Sequence, residues 1–588
     1  MNPESAIDNR KALINVLTGR DSADLAVVNG GVVNVYTGEL LHNHSIAMKG
    51  ELIAYVGDAP GDVIGPDTVI IDAGGKTVIP GLIDSHTHLA DCKYSPFEFL
   101  KRSITGGTTT VITETMEPFP IAGYEGVTDF MESLMGQPIK IFFTAPAMVS
   151  ISGNVKIPGK DILHRLLSRE DVLGLGEAYW QGVMQRKDDF LPNFMATMDM
   201  GKRLEGHSAG ARGKKLIAYV ATGVTSCHEP VNAGEALERL RLGLYVMIRE
   251  GSVRKDLAAV SGIMEEGIDY RRLILVTDGV NPVELLEKGY MENVVQKAID
   301  IGIDPVKAIR MATLNPAEYF GLDRITGGIA PGRHGDMLII PSLREIRPEY
   351  VISRGKVIAK RGKLLAPPRR HVFSHHAFNS IAVTREIRPS DFIIRINNIQ
   401  GRVKVRVIDM VTDLVAREHI ASVPVIDGVI KTDIESDILK VAAIDRANAP
   451  GCLFTGLVRG FRIKRGAIAS SSAWDSSDII VVGTNETDMA KAVNRICALQ
   501  GGAVVCVDGR ILSEIPLPIF GLMTEMPLED LAGKFREMAG FIKGLGCPFE
   551  DTLLTLATLT GAAIPFIRIC EEGLVNIKDG DNLKLFPA

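Results

Sequence analysis

From about residue 80 to residue 325, the sequence alternates short apolar runs with longer amphipathic stretches. The clearest apolar runs are TVIPGLID, TTTVIT, KIFFTAP, VLGLGE and RLILVTD. Intervening stretches such as GEALERLRLGLYVMIREG and YMENVVQKAIDIG have the periodicity of helices. Regular alternation of strand and helix is typical of a parallel sheet, and a segment of this length suits a (β/α)8 barrel. We therefore expect an α/β fold centred on a TIM-type barrel over residues 80–325.

The segments on either side of this barrel have strand character. Residues 24–79 contain ADLAVVNG, GVVNVYTG and SIAMKG, and residues 326–366 contain GDMLIIP and YVISRGKVIAK. Val and Ile alternating between Gly and Asp turns predict a small antiparallel unit in the first segment. We expect residues 20–79 and 326–366 to form one small β-sandwich domain. Residues 380–588 contain further strands and helices and are expected to form a separate C-terminal α+β domain.

The composition argues against several classes of partner and location. The formal net charge is −6 without a long run of Lys or Arg, so no nucleic-acid partner is expected. No uncharged apolar stretch reaches the length of a membrane span, about 18 residues, and the polar start MNPESAIDNR does not resemble a signal peptide. The seven cysteines form no CxxC pair, which indicates a reducing compartment. We expect a cytoplasmic homodimer with a small-molecule substrate and no membrane partner.

Four histidines and two carboxylates lie at the ends of predicted barrel strands: His86, His88, Glu177, His207, His228 and Asp278. The carboxyl ends of parallel barrel strands face one side, where the loops build the active site. Imidazole and carboxylate groups gathered at one rim are suitable ligands for Zn, Mn or Fe(II). The set therefore predicts a metal centre.

Each member of this set also has a structural interpretation when it is taken alone. His86 and His88 form His-x-His after a buried strand, a spacing that puts both imidazoles on one face of an extended chain, yet such pairs also occur on surfaces. Glu177 and Asp278 could cap the helices that follow them. His207 or His228 could each be a hydrogen-bonded core or loop histidine. The metal interpretation depends on the six occurring together.

PGLIDSHTH, followed by Glu, His, His and Asp at later strand ends, resembles the binuclear metal site of the amidohydrolase superfamily. Many members bridge their metals with a carbamylated lysine, which VLGLGE does not offer, so the resemblance implies that Glu177 is the bridge. It also implies two divalent transition-metal ions (Mn, Fe(II) or Zn). The ligands implied for the first ion are His86, His88 and Asp278, and those for the second are His207 and His228.

Further motifs narrow the resemblance to the bacterial adenine deaminase family. These motifs are GLGEAYWQGV, EGHSAG, HEPVNAGEALERLRLG, MIREGS and RMATLNPA, together with RGAIASS, IIVVGTNETDMAKAVNRI, GGAVVCVDG and PLPIFGLM in the C-terminal region. The resemblance implies hydrolysis of adenine to hypoxanthine and ammonia, a step of purine salvage, by a hydroxide shared between the metals. Glu177 and Asp278 are the implied catalytic residues, and Asp278 would pass the hydroxide proton to the leaving nitrogen.

The chain departs from this family's motifs at several positions. Ala90, Gly279, Trp474 and Ser477 stand where the family carries Glu, Asp, His and His, respectively. The family's Asp-Pro-His-Glu after the second strand is absent, and residues 113–118 read TETMEP instead. Because the lost side chains are polar groups that could face the substrate, we expect weaker turnover of adenine than is typical of the family.

The substrate contacts that we expect are Glu114, Glu117, Arg249, Ser252 and Trp474. Arg249 and Ser252 belong to MIREGS, which ends a predicted helix near the barrel face, so a solvated helix end is an equal interpretation. Glu229 follows His228 and could touch the substrate, but we favour a salt-bridged residue that faces away along the strand. Three alternatives to the deamination of adenine stay open. They are deamination of another amino-heterocycle, hydrolysis of an amide or cyclic amide, and binding of a ligand without turnover.

Overall fold

The computed structural model describes residues 3–147, 150–397, 400–564 and 566–587, and the described side chains begin at Ile7. Helix α1 (Pro3–Leu17) is followed by five strands. These are β1 (Leu25–Asn34), β2 (Glu39–Lys49), β3 (Leu52–Gly57), β4 (Val69–Asp72) and β5 (Thr77–Pro80). The antiparallel prediction is wrong for part of this unit: β1 pairs antiparallel with β2 but parallel with β4 and β5. The chain after β3 passes to the other edge of β1 and then runs in the direction of β1.

Eight parallel strands follow and form the predicted barrel. They are β6 (Leu82–Thr87), β7 (Thr108–Thr113), β8 (Lys140–Ala145), β9 (Val172–Tyr179), β10 (Arg203–His207), β11 (Ser226–Cys227), β12 (Tyr245–Arg249) and β13 (Leu273–Val276). Consecutive strands pair in parallel from β6 to β10 and from β11 to β13. Thr225 N donates to Leu204 O and Asp278 N donates to His86 O, each over 3.0 Å, and these two bonds join the two arcs. The (β/α)8 prediction is confirmed.

Helices follow the barrel strands and bury residues against them. They are α2 (Pro96–Thr105), α3 (Phe119–Leu134), α4 (Lys160–Leu167), α5 (Trp180–Gln185), α6 (Lys187–Asp199), α7 (Gly213–Val220), α8 (Ala233–Arg241), α9 (Leu257–Val260), α10 (Pro282–Glu287), α11 (Met291–Asp300), α12 (Pro305–Met311) and α13 (Leu314–Phe320). Ser95, Asn232, Asn281 and Asp304 cap α2, α8, α10 and α12 by accepting backbone N–H bonds that the first turn leaves free.

One helix prediction is wrong, and it concerns MIREGS. Helix α8 ends at Arg241, and Gly243 adopts a left-handed φ of 87°, a conformation that favours glycine and stops a helix. The apolar residues after it form β12, so Arg249 ends a strand rather than a helix. A run as short as YVMI does not distinguish a buried strand from a helix by its periodicity.

After the barrel, the chain returns to the sheet that it left. Strands β14 (Met337–Ile340), β15 (Tyr350–Ser353), β16 (Lys356–Lys360) and β17 (Lys363–Leu364) follow in order. Strand β14 pairs antiparallel with β5, from Met337 opposite Pro80 to Ile340 opposite Thr77. Nine strands from both chain segments are therefore hydrogen-bonded in one sheet. The boundaries of the three domains stay a prediction.

The C-terminal part contains a second nine-stranded sheet, which agrees with the predicted α+β class. The short helix α14 (His375–Phe378) precedes this sheet. The strands of the sheet are β18 (Gly401–Met410), β19 (Ala416–Ile426), β20 (Val429–Ile430), β21 (Leu439–Asp445), β22 (Leu453–Arg459), β23 (Ala467–Ser470), β24 (Asp478–Gly483), β25 (Gly502–Val507) and β26 (Arg510–Pro516). Three helices, α15 (Glu486–Leu499), α16 (Leu528–Gly544) and α17 (Thr552–Thr558), accompany it. A separate three-stranded sheet closes the chain: β27 (Ile567–Cys570), β28 (Gly573–Asn576) and β29 (Asp581–Leu583).

The C-terminal part contacts the barrel where the metal-ligand candidates lie. The Tyr179 hydroxyl donates to Asp475 over 2.8 Å, and the Trp474 indole N–H donates to Asp91 over 2.8 Å. Leu528 N donates to Glu98 over 3.1 Å at the start of α16. These contacts place the C-terminal part against the loops after the barrel strands. Within the described ranges, none of the helices is both long and apolar enough for a membrane span.

Candidate metal centre

The barrel brings the six predicted metal ligands to one rim. His86 lies near the end of β6, with His88 directly after it, and Glu177 lies in the last part of β9. The other three are at or just beyond strand ends: His207 on β10, His228 after β11 and Asp278 after β13. All are buried except His88, which is partly exposed. The parallel barrel explains the convergence, because the carboxyl ends of its strands meet on one face.

Glu177 lies at the centre of the cluster. Its Oε2 is 2.7 Å from His207 Nδ1 and 3.0 Å from His228 Nε2, while its Oε1 is 3.6 Å from His88 Nε2. Asp278 Oδ1 is 3.3 Å from His86 Nε2 and 3.5 Å from His88 Nε2. Potential ligand atoms fall into overlapping groups, each within 4.8 Å. Those groups are Glu177, His207, His228 and Glu229; His86, His88 and Glu177; and His86, His228 and Asp278. Glu177, His86 and His228 each belong to two of them. Of these three, Glu177 is the carboxylate, and its two oxygens face different histidines, as those of a bridging ligand would.

Glu229 faces the cluster, so our preference for a side chain pointing away was wrong. Its Oε1 is 3.0 Å from His228 Nε2 and 3.4 Å from His207 Nδ1. Its Oε2 accepts hydrogen bonds from the backbone N–H and the hydroxyl of Ser208, over 2.5 and 3.1 Å. The alternation rule failed because β11 ends at Cys227, so residue 229 is no longer in a strand.

Two more carboxylates border the histidines of β6. Glu117 Oε1 is 2.5 Å from His88 Nδ1, a contact that fixes the orientation of the imidazole. Glu114 accepts a hydrogen bond from Glu177 N over 3.2 Å and lies 3.8 Å from His86 Nδ1. Burial and the charge of Glu177 raise the pKa of Glu114 to about 8. Of these two predicted substrate contacts, Glu117 lines the cavity above the cluster, whereas Glu114 lies outside its lining.

The donor set fits divalent cations. His207 Nε2 is buried and lacks a hydrogen-bond partner among the described residues, although buried polar atoms are normally paired. Burial opposes a charge on His228, but the carboxylates of Glu229 and Glu177 raise its pKa to about 10. In the absence of a cation, the proton on His228 offsets part of the charge of the buried carboxylates, and a divalent ion would take over that role. Imidazole and carboxylate ligands suit Zn, Mn and Fe(II).

Asp278 is held in an uncommon backbone conformation beside an arginine. Its φ is 60°, in the left-handed region that Asp and Asn tolerate better than most residues. Arg249 approaches Asp278 Oδ2 over 3.3 Å and also donates to Asp256 over 2.8 Å. Burial opposes ionisation of Asp278, but the hydrogen bond with His86 and the Arg249 charge hold its pKa below the usual range. Asp278 is therefore ionised while it faces the histidines.

The remaining predicted substrate contacts line the same cavity, whose volume is about 470 Å³. Arg249 gives hydrogen bonds to Asp256 and Asp278, and the Ser252 hydroxyl donates to Glu284 over 2.6 Å. Both side chains thus already have protein partners. Trp474 lies on the C-terminal side, with its N–H bonded to Asp91.

Several lining residues were missed from the sequence, namely Asp91, Tyr179 and Asp475. Asp91 follows the buried Ala90, and Asp475 follows Trp474. The sequence comparison singled out Ala90 and Trp474 because they depart from the family's motifs, but it did not single out the two aspartates. Burial raises the pKa of Asp475 to about 7, although a hydrogen bond from Tyr179 opposes this shift. Their role depends on the contact between the barrel and the C-terminal part, which no local pattern predicts.

Comparison with known proteins agrees with both parts of this architecture. The amidohydrolase family model matches residues 77–358, and the model of the adenine deaminase C-terminal domain matches residues 413–581. The adenine deaminase of Moorella thermoacetica is 35% identical over 574 residues, which are 96% of each chain. Those of Clostridium botulinum and Staphylothermus marinus are 33% and 34% identical, covering 98% and 99% of this chain and 97% and 98% of the relatives. The chain belongs to the adenine deaminase family.

Proposed function

We propose that this protein hydrolyses adenine to hypoxanthine and ammonia, using two divalent transition-metal ions. The observation that carries the proposal is the convergence of four histidines with Glu177 and Asp278 at one barrel rim, beneath the C-terminal part typical of the family. Relatives of nearly full length are named adenine deaminases, which supports adenine as the substrate. We place the reaction in purine salvage in the cytoplasm and expect a homodimer.

The metal ions would be held by side chains that already lie together. His86 and His88 would hold one ion, His207 and His228 the other, and Glu177 would connect them. Glu229 is close enough to the second pair to join it. Bound there, Zn, Mn or Fe(II) would activate a water molecule and polarise the substrate. Glu117 would keep His88 in the orientation that presents Nε2 to the centre.

Asp278 is the group best placed to move the proton. Its Oδ1 faces the Nε2 atoms of His86 and His88, while Arg249 engages its other oxygen. An ionised carboxylate can accept a proton from the attacking water and return it to the leaving nitrogen. The balanced reaction consumes one water molecule, breaks the bond between C6 and the exocyclic nitrogen, and releases ammonia.

The departures from the family's motifs divide into two groups in the structure. Gly279 and Trp474 line the cavity, whereas Ala90 and Ser477 are buried outside its lining. Ser477 instead donates to Asp445 over 2.8 Å, which is a packing role. Only the first pair can therefore leave a polar atom of adenine without its family partner. Since such a loss costs about 1–3 kcal/mol per group, we expect adenine turnover below that of typical family members.

Ammonia release from adenine by the metal-loaded protein tests the proposal. We expect hypoxanthine and ammonia in equal amounts, with activity lost on chelation and restored by Mn, Fe(II) or Zn. A panel of amides and cyclic amides tests the alternative that the protein hydrolyses an amide or cyclic amide instead of adenine. Full activity of a metal-free preparation would contradict the metal-dependent reaction. Bound metal without turnover of any compound would instead favour a binding protein.

A further inference from the structure

The C-terminal part contributes an apolar surface to the cavity that contains the candidate metal ligands. We call it the apolar wall and define it by six lining residues: Leu414, Trp474, Leu553, Leu554, Ala557 and Ile564. Three of them lie on α17, and the others come from the β18–β19 turn, the segment before β24 and the segment before β27. In contrast, the candidate ligands all come from the barrel.

Trp474 is held rigidly and offers the cavity no polar atom from its side chain. Its indole N–H donates to Asp91, whose other oxygen accepts from the Ser472 hydroxyl over 2.8 Å. Its backbone N–H donates to Ala557 O over 3.2 Å, which ties it to α17. A Cβ on Gly561 would lie only 3.2 Å from the indole, so the ring packs directly on this glycine. The ring is therefore a fixed aromatic surface.

Two carboxylates beside the apolar wall, Asp475 and Asp551, already accept hydrogen bonds from the protein. Asp475 accepts from the Tyr179 hydroxyl and from Ala562 N, each over 2.8 Å. Asp551 caps α17 by accepting from Leu554 N over 3.0 Å. A purine has nitrogen atoms around its whole edge, and those turned toward this side would find few free partners. Leaving such atoms unpaired lowers the affinity for the ligand, whereas an apolar group placed against the apolar wall raises that affinity.

The cavity is also large for a free base. Its volume of about 470 Å³ lies within the range of roughly 300–1,000 Å³ found for pockets that enclose drug-sized ligands. A purine base is far smaller than such a ligand. The metal ions and water would take the barrel side, and the space beside the apolar wall would still be unfilled.

We propose that the apolar wall is a substrate subsite, and that the preferred substrate is an aminopurine carrying an apolar substituent on the ring edge remote from its amino group. This inference rests on the proposed deaminase function, because it places the amino-bearing carbon at the metal ligands. The wall then buries the substituent, and Trp474 contacts its aromatic or aliphatic surface. Each buried methylene should raise kcat/KM about fourfold.

Two series of adenines, with methyl, propyl or benzyl groups at N9 or at C8, test this proposal. The probe is ammonia release by the metal-loaded enzyme, expressed as kcat/KM relative to adenine. We expect kcat/KM to rise with the substituent in at least one series, by roughly tenfold or more from methyl to propyl. Equal or better turnover of adenine than of every substituted compound would overturn the subsite, and the wall would then serve only to exclude water.

Variants separate a subsite from a general effect on the enzyme. Leu554→Asn makes the wall polar at a half-buried position, and Ala557→Leu fills it. Each should bring the ratio of substituted to unsubstituted kcat/KM close to one. Leu512→Asn is the matched control, since Leu512 is an exposed residue of β26 outside the cavity lining, and it should keep the wild-type ratio. An unchanged ratio in both wall variants would contradict the proposal. If Leu554→Asn folds poorly, Ala557→Leu still tests it.

Failure of the deaminase function would give a different result. If no aminopurine releases ammonia, the proposed function fails, and binding decides the subsite on its own. Calorimetric titration of the metal-loaded wild-type protein and Leu554→Asn with the same compounds would then be compared. Tighter binding of the propyl than of the methyl compound, lost in the variant, supports the subsite; equal binding overturns it.

Discussion

The barrel and the C-terminal part contribute opposite kinds of surface to one cavity. The barrel side carries four histidines and several carboxylates whose atoms lie within hydrogen-bonding or ligand distance of one another. The C-terminal side carries leucine, isoleucine, alanine and an indole whose N–H is already bonded. The proposed function and the proposed subsite together assign the chemistry to the barrel and the selection of the substrate to the C-terminal part. Substitutions on the two sides should therefore have effects of different size and kind.

The largest effect is expected on the barrel side, from Glu177→Ala or His86→Ala. Either change removes a candidate ligand that belongs to two of the ligand groups. Turnover of adenine should fall by roughly 10³-fold or more, with bound metal reduced, while the protein stays folded because the residues lie at the barrel rim. Ammonia release, metal content and thermal unfolding measure the three outcomes.

The matched control for this prediction is His42→Ala. His42 is exposed on β2 and belongs to none of the ligand groups, so the variant should keep both activity and metal. Near-normal turnover in both ligand variants would contradict the proposal that the barrel side carries out the reaction.

Asp278→Asn should have the next largest effect. Asn fits the left-handed φ of 60° and the shape of the carboxylate, but an amide cannot accept and return a proton. We expect kcat to fall by about 10²- to 10⁴-fold while a substantial part of the metal is retained. Metal analysis alongside single-turnover ammonia release separates this result from ligand loss.

Asp58→Asn, at an exposed loop position, is the control for the same chemical change. If Asp278→Asn keeps its activity, the carboxylate is only a ligand or a structural residue, and the proton must be carried by another group.

The smallest effect is expected on the C-terminal side, from Trp474→Phe. The change removes the indole donor to Asp91, which is a hydrogen bond to a charged group, and leaves Ser472 and Lys93 as partners of Asp91. The free energy of unfolding should fall by about 1.5–3 kcal/mol. For adenine, kcat/KM should change less than tenfold, because no proposed ligand or proton carrier is touched.

Trp180→Phe provides a comparison within the same molecule. The Trp180 indole N–H donates to Ala209 O, a neutral acceptor, over 2.7 Å. Its loss should cost about 1 kcal/mol, less than at Trp474. Denaturant unfolding of the two variants measures the difference. A loss of activity in Trp474→Phe as large as in Asp278→Asn would show that the two sides of the cavity do not divide their roles.

The sequence predicted the convergence of the six candidate ligands at one barrel rim for a simple physical reason. Parallel strands in a barrel bring their carboxyl ends together, so residues that are distant in the chain, such as His88 and Asp278, can be placed at one rim from strand order alone. Strand β11 is only two residues long, and Glu229 beyond it therefore escaped the alternation rule.

The C-terminal side was largely beyond such reasoning. Its apolar wall is assembled from four separate segments, and leucine or alanine at these positions is indistinguishable from ordinary core residues. Only Trp474 was singled out, because it departs from a family motif. The hydrogen bond between Asp91 and Trp474 joins residues that are 383 positions apart in the sequence, and no periodicity predicts such a contact.

The pairing of β5 with β14 has a consequence for the synthesis of the protein. Residues 77–80 leave the ribosome long before residues 337–340, and the whole barrel is translated between them. At about 5–20 residues per second, the edge of β5 waits on the order of ten seconds or more for its partner. During that time it is an open strand edge that can pair with another nascent chain. A messenger cut short within the barrel region would leave that edge uncovered permanently, so its product should be prone to aggregate.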